Sequence, residues 1–412
     1  MSKGLYWLFL QVYHAGLWIA AWFHPKAKAW VEGRRGWRAD LRNWRAEHPG
    51  QLIWMHCASL GEFEQGRPIL EALRATRPDL KLVLTFFSPS GYEQRKDYQS
   101  ADYITYLPPD GPGRARQWLR ELEPAAAIFV KYEFWYYHLQ ALGRADIPTL
   151  LIAASFRPGQ VFFRWYGGFF RNMLRHFTHL FVQQPIHQEL LRSIGIEAVT
   201  VAGDPRVDRV ATIAEEQVDF PLIDTFRGEA LVWIAGSSWP PDDAILLARA
   251  AEHWTEDWKL IIAPHDISDR SVRQLAARLP LPYCRYSQAP DADTLRQSRI
   301  LILDTMGMLS QIYQYGDAAY IGGGFGAGIH NTLEPAAHGL PVVFGPRYQK
   351  FPEAVELIRR GGAQSLRSAG EFHAIWVNWS RPTQRQAASE QVTAYIRDNR
   401  GATQRILDGL PG

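Results

Sequence analysis

From Leu52 onward, short apolar runs rich in β-branched residues alternate with amphipathic stretches, the pattern of parallel strands joined by helices. Runs at Leu52–His56, Leu82–Phe86, Tyr103–Leu107, Ala126–Val130, Thr149–Ala154, Leu180–Val182 and Val199–Ala202 predict seven strands, with helical periodicity over Pro68–Ala75 and Gly113–Leu122 between them. A more polar stretch, Ala214–Gly228, interrupts the pattern. A second series then begins at Leu231–Ala235 and continues through Leu260–Ala263, Ile300–Leu303, Ala318–Ile321 and Pro341–Phe344. The last stretch, Pro382–Leu410, reads as one or two polar helices. The expectation is an α/β protein of two doubly wound, Rossmann-like domains facing a cleft, a division that 412 residues favour. Open α/β sheets bind ligands beyond the carboxyl ends of their strands, so the chemistry is expected in strand-to-helix loops.

An apolar run from Leu5 to Phe23, broken only by Gln11 and His14, precedes all of this. No small-x-small cleavage pattern closes it, and Lys26, Lys28, Arg34, Arg35 and Arg38 follow, which argues against a removable signal peptide. The run predicts a membrane-anchor helix over residues 1–24, either spanning or lying in the interface. The basic side chains after it hold the rest of the chain on the cytoplasmic side. The formal charge of +3 is local to this region: residues 1–50 carry eight Lys and Arg against three Asp and Glu. That leaves about −2 for the remainder, and nothing points to a nucleic-acid partner. Cys57 and Cys284 lie far apart without metal-type spacing, which fits a reducing compartment.

The first strand runs into Ser59-Leu60-Gly61-Glu62, placing a carboxylate at a helix start. Ser59 or Glu62 can simply cap that helix. Glu62 can equally act as a general base on an acceptor hydroxyl, with Gly61 permitting close approach. The fourth strand ends in Lys131-Tyr132-Glu133-Phe134-Trp135; Lys131 and Glu133 are either an ion pair or groups that position an acidic sugar. Arg157 and Arg206 add cationic groups at two further strand ends.

The most informative stretch runs from Ile321 to Pro335, where five glycines lead into a helix. A glycine-rich turn at a helix start lets backbone N–H groups, including those of Gly323 and Gly324, and the helix dipole meet a phosphate. Asn331 and Glu334 lie one helical turn apart, so the Glu334 carboxylate can accept both ribose hydroxyls while Asn331 supports it. The spacing is neither G-x-G-x-x-G nor a Walker loop, which weakens nicotinamide and ATP readings. Ser237 in Gly236-Ser237-Ser238, the Pro264-His265 pair, and Thr305-Met306-Gly307-Met308-Leu309 complete a ring of loops that predicts a nucleotide-sugar pocket.

The motifs Ser59-Leu60-Gly61-Glu62, Leu107-Pro108-Pro109-Asp110, Glu133-Phe134-Trp135, Asp304-Thr305-Met306-Gly307 and the block Gly322–Pro346 occur in the order and spacing of bacterial 3-deoxy-D-manno-octulosonic acid (Kdo) transferases. The chain resembles that family over nearly its whole length, apolar N terminus included. The resemblance implies a GT-B glycosyltransferase that needs no cofactor and no metal. It would move Kdo from CMP-Kdo to a lipid A precursor, lipid IVA, by inverting displacement, in lipopolysaccharide inner-core synthesis on the cytoplasmic face of the inner membrane. It further implies an acceptor-binding domain over 25–213, a linker over 214–228, a CMP-Kdo-binding domain over 229–381, and helices in 382–412 packing back on the first domain. Glu62 would be the base, with Lys131, Glu133 and Arg206 at the transition state. CMP would meet Gly307, Met308, Leu309, Asn331, Thr332, Leu333 and Glu334, with Pro264 and His265 near cytidine and phosphate. Three departures stand out: Lys131 occupies a position where many members carry glutamate, Arg206 replaces a lysine, and the arginine beside the histidine of the Pro264-His265 loop is missing. Either Glu133 takes over the glutamate's role or Lys131 grips the Kdo carboxylate. A UDP-sugar transferase or epimerase of the same architecture, and a membrane-tethered nucleotide-binding module, are the alternatives.

Overall fold

A computed structural model describes residues 2–248 and 257–410, so the outermost residues of the expected anchor and tail lie outside it. The chain divides into two compact units, Met1–Asp208 with Gly401–Gly412, and Arg209–Arg400.

The first unit is built on seven parallel strands: β1 (Leu52–Cys57), β2 (Lys81–Phe86), β3 (Tyr103–Tyr106), β4 (Ala126–Val130), β5 (Thr149–Ala154), β6 (His179–Val182) and β7 (Val199–Val201). Their order is β3-β2-β1-β4-β5-β6-β7, so the winding reverses between β1 and β4. Strand β1 is buried along its whole length because helices cover both faces of the sheet. Its side chains alternate between two cores: Leu52 and Trp54 pack with Phe129 and Leu151, whereas Ile53, Met55 and Cys57 pack with Leu84 and Ile152.

The apolar N terminus forms the helix Lys3–Ala20. Tyr6 and Leu10, one turn apart, are buried in the first of those cores, while Leu8, Phe9, Val12 and Ile19 remain more than half exposed. No helix among the described residues is long and apolar enough to cross a membrane. At the other end of the chain, Asp208 accepts the N–H groups of Gly401 and Thr403 at 2.5 and 2.6 Å, capping the helix Ala402–Leu407. Ile406 of that helix is fully buried in the second core.

The second unit repeats the plan with β8 (Leu231–Ser238), β9 (Trp258–Pro264), β10 (Tyr283–Arg285), β11 (Ile300–Ile302), β12 (Ala318–Ile321), β13 (Val342–Phe344) and β14 (Ala363–Ser365). The order is β10-β11-β9-β8-β12-β13-β14, all parallel, with the reversal between β8 and β12. Four tryptophans, Trp233, Trp258, Trp376 and Trp379, gather on one face, where Trp233 stacks on Trp376 at 5.4 Å and on Trp379 at 5.7 Å.

Every strand read from the apolar runs is present within one to three residues at each end, and two are additional: β10 and β14, three residues each, at the two edges of the second sheet. The stretch 214–228 differs from the expected linker. It contains the helix Pro221–Arg227, whose Ile223 and Phe226 share a face and are fully buried, and Lys259 donates to the Phe226 carbonyl at 2.6 Å. The helix Pro382–Asn399 belongs to the second unit, where Ser389 donates to the Gly339 carbonyl at 2.6 Å; only the last twelve residues join the first.

Candidate active site

In the first unit, the loops after β1 and β4 meet at the winding reversal, the position where open α/β sheets hold ligands. Glu62 is the third residue of the helix Leu60–Thr76 and reaches back over its start: Oε2 accepts the N–H groups of Ala58 at 2.6 Å and Ser59 at 3.2 Å. The capping role and the expected catalytic role therefore fall on the same side chain. Oε1 accepts from no protein donor among the described residues. Burial, then the nearby negative charge of Glu133, push the Glu62 carboxyl up to about 7; the two backbone N–H groups and Lys131 pull the other way.

Glu133 is buried in the loop after β4, and its Oε2 accepts from the Trp135 indole N–H at 2.6 Å and faces His56 Nε2 at 2.9 Å. Lys131 sits at φ +65°, a left-handed conformation that costs a non-glycine residue about 1–3 kcal/mol and marks a constrained loop. Its charge acts on Glu62 and also on Asp204, after β7. Arg206 grips Asp204 through Nη2 at 2.6 Å and Nε at 3.1 Å. Burial alone would raise the Asp204 carboxyl, but Arg206 and Lys131 hold it below the usual range. Glu62, Glu133 and Lys131 thus form one electrostatic group, with Arg206 attached through Asp204. Sequence reasoning passed over His56 and Asp204; a histidine inside the apolar strand LIWMHC was the available signal.

In the second unit the expected donor residues lie on loops at the C-terminal ends of the strands. Gly322 lies against the end of β8: a Cβ there would stand 2.2 Å from the Ser237 carbonyl oxygen, so only glycine fits. Gly323 has φ +89°, and its N–H donates to Oδ2 of the buried Asp242 at 2.9 Å. Asp242 also accepts from the Trp239 N–H and the Tyr320 hydroxyl, and so ties the chain after β8 to the glycine loop.

Two features of this loop differ from the expected phosphate cradle. The N–H groups of Gly322, Gly323, Gly326 and Gly328 are already committed within the protein, and the helix that follows, Leu333–Ala337, is little more than one turn. Its dipole is correspondingly short, and the glycines serve the fold of the loop first. The ribose-type site is better formed: Asn331 Nδ2 donates to Glu334 Oε1 at 2.9 Å, while Asn331 Oδ1 accepts the Leu333 N–H at 3.0 Å. Thr332 and Leu333 are buried behind this pair, and the Glu334 charge joins burial in raising the Tyr313 hydroxyl.

His265, beyond Pro264 at the end of β9, stacks on Trp239 at 4.4 Å and on His330 at 4.6 Å, and the Trp239 indole N–H donates to His330 Nε2 at 3.0 Å. Gly307, with φ +83°, turns the chain after β11 into Met308 and the short helix Leu309–Ile312. Three rings, a carboxylate–amide pair and a tight turn therefore share the carboxyl edge of one sheet, a set suited to a base, a ribose and an anion.

Residues 33–209 match the family model described as 3-Deoxy-D-manno-octulosonic-acid transferase (kdotransferase). The chain is 27% identical over 445 aligned positions to a 3-deoxy-D-manno-octulosonic acid transferase of Bordetella pertussis, covering 100% of this chain and 99% of the relative. Its identity to the Aquifex aeolicus protein of the same description is 27% over 316 positions, covering 76% of this chain and 80% of the relative. Among solved structures, a putative UDP-N-acetylglucosamine 2-epimerase from Listeria monocytogenes superposes with a TM-score of 0.58 at 12% identity, over 87% of this chain and 95% of that one, which is a likeness of fold. Residues 33–209 thus carry a Kdo transferase domain, and the chain, with its two parallel sheets of GT-B type, is similar over its whole length to bacterial Kdo transferases, which are glycosyltransferases.

Proposed function

We propose that this protein transfers Kdo from CMP-Kdo to a hydroxyl of a lipid A precursor, lipid IVA, with Glu62 as the general base. The observation that carries the reading is Glu62 itself: a carboxylate at the winding reversal, one oxygen fixed by two backbone N–H groups, with an affinity for protons raised to about 7. A base poised near the working pH combines a deprotonated population with real driving force. The acceptor hydroxyl gives its proton to Glu62, and its oxygen bonds to the anomeric carbon of Kdo. The bond from that carbon to the phosphate oxygen breaks with its electron pair on CMP, inverting the centre. Lys131 offsets the charge that Glu62 and the Kdo carboxylate bring together, and Arg206, steadied by Asp204, adds a second cation. On the second unit, Glu334 takes the ribose hydroxyls with Asn331 supporting it, while Ser237, Gly307, Met308, Leu309 and His265 surround base and phosphate.

We further infer that the protein works on the cytoplasmic face of the inner membrane, held there by the helix Lys3–Ala20. That helix is fastened to the first unit by Tyr6 and Leu10 and presents an apolar face to the outside, the form of an interfacial anchor.

The test is a purified full-length protein supplied with CMP-Kdo and a tetraacylated lipid A precursor, with product scored by mass, and with UDP-N-acetylglucosamine in a parallel reaction. A Kdo adduct formed only from CMP-Kdo is expected. Conversion of the UDP-sugar with no Kdo adduct would favour the epimerase alternative.

A further inference from the structure

Beneath the Glu62 loop runs a buried chain of hydrogen bonds that the transfer step does not itself use. The Trp54 indole N–H donates to Thr85 Oγ1 at 2.8 Å, and an indole nitrogen can only donate. Thr85 presents two oxygens to His56 Nδ1, Oγ1 at 2.8 Å and its backbone carbonyl at 3.1 Å, and Oγ1 also lies 3.3 Å from the Met55 carbonyl. On the other side of the ring the Glu133 carboxylate only accepts, so Nε2 carries a proton and donates to Oε2 at 2.9 Å, while Trp135 donates to the same oxygen. The His56 ring is wholly buried, which favours its neutral form. A neutral histidine in a central strand, spending one nitrogen on a threonine and the other on a carboxylate, is costly to bury unless both bonds are kept.

The charged surroundings are few. Glu133, Lys131 and Cys57 act on Glu62. Around His56 stand Glu133 and His138, the latter paired with Asp110. Glu64 acts on Cys57, and beyond Lys131 lie Asp204 and Arg206. Among the described residues, Glu133 is the carboxylate whose charge raises Glu62, and its position is set by His56 and Trp135.

We propose that His56 is a positioning residue for the transfer reaction: from under the loop it holds the Glu133 carboxylate beside Glu62 and thereby tunes Glu62 as the base. The inference rests on the reading of Glu62 above. Its logic is Coulombic. A carboxylate fixed next to Glu62 makes the charged form of Glu62 less favourable and Glu62 a stronger base. When the donor is removed, Glu133 swings free and its repulsion of Glu62 relaxes; Glu62 then ionises at lower pH and takes the acceptor proton less readily.

The experiment is the pH profile of kcat/KM for Kdo transfer by the full-length protein carrying His56→Leu, with His56→Gln as the conservative variant that keeps a side-chain N–H donor. Trp135→Phe, at a half-buried position, removes the other donor and guards against a His56 variant that does not fold. The expected result for His56→Leu and Trp135→Phe is an acid limb displaced to lower pH by about one unit, with a lower plateau above it, and restoration of the limb in His56→Gln. Acid limbs that coincide with the wild type in folded His56→Leu or Trp135→Phe would overturn the proposal. If Glu62→Gln itself retained full transfer, the reading of Glu62 as base would fail instead, and the two failures are distinguishable.

Discussion

The hydroxyl of Tyr6 donates to Oδ2 of Asp110 at 2.8 Å, tying the N-terminal helix to a buried carboxylate more than a hundred residues along the chain. Asp110 also accepts the N–H groups of Tyr137 and His138 and lies 2.8 Å from His138 Nδ1, so it caps the helix Tyr136–Arg144 that follows the Glu133 loop. Tyr6→Phe leaves Asp110 its other donors and is expected to cost about 1 kcal/mol. The loss should appear as faster amide hydrogen exchange across Lys3–Ala20 with β1 and β4 unchanged. Protection equal to wild type would show that this bond does not fasten the helix.

Phe9 and Val12 lie on the exposed side of the same helix, at 57% and 65% exposure. Introducing Glu at both places charge where an interfacial helix needs apolar contact. The double variant is expected to float poorly with phospholipid vesicles while keeping its secondary structure and CMP binding. Undiminished flotation would move the membrane contact elsewhere on the protein.

Both the strand succession and the place of Glu62 at a helix start were legible in the sequence, because buried parallel strands are continuous apolar runs and a carboxylate after the first of them stands out. Strands β10 and β14 were not: YCR and AQS are three residues long and lie at sheet edges, where hydrogen bonding to one neighbour suffices and no apolar signature is needed. Residues 214–228 read as polar, yet Ile223 and Phe226, three residues apart, were enough to bury a helix. The glycine run was legible as a loop, but not that its N–H groups serve its own turns. That depends on Asp242, eighty residues earlier in the chain. His56 was hidden for the same reason, since its partners come from β2 and the loop after β4.

Glu334→Gln keeps the side chain's shape but removes the charge proposed to accept ribose hydroxyls. A charge-assisted hydrogen bond of this kind is worth about 1.5–3 kcal/mol, which corresponds to a CMP affinity weakened about 10- to 150-fold. Titration calorimetry checks this directly, and an unchanged Kd would remove Glu334 from the nucleotide site. Asn331→Ala, which withdraws the supporting amide at 2.9 Å, should weaken binding less.

The raised proton affinity of Glu62 fixes the direction of the pH dependence. As the proposed base Glu62 acts in its carboxylate form, so activity requires pH above its titration. With a value near 7, kcat/KM should climb through neutrality and fall about tenfold per unit on the acid side. A rate flat from about two units below neutrality to about one unit above it would mean that no group of this kind limits the reaction.

The central claim, that Glu62 takes the acceptor's proton, is tested most directly by the single-turnover rate of Kdo transfer in Glu62→Gln, with CMP binding verified on the same sample. The glutamine cannot accept the proton but can still accept the backbone N–H bonds that hold Oε2. A rate lowered about 10²- to 10⁴-fold with CMP affinity intact is the predicted result. Transfer within about tenfold of wild type would contradict it and send the search for the base to Glu133.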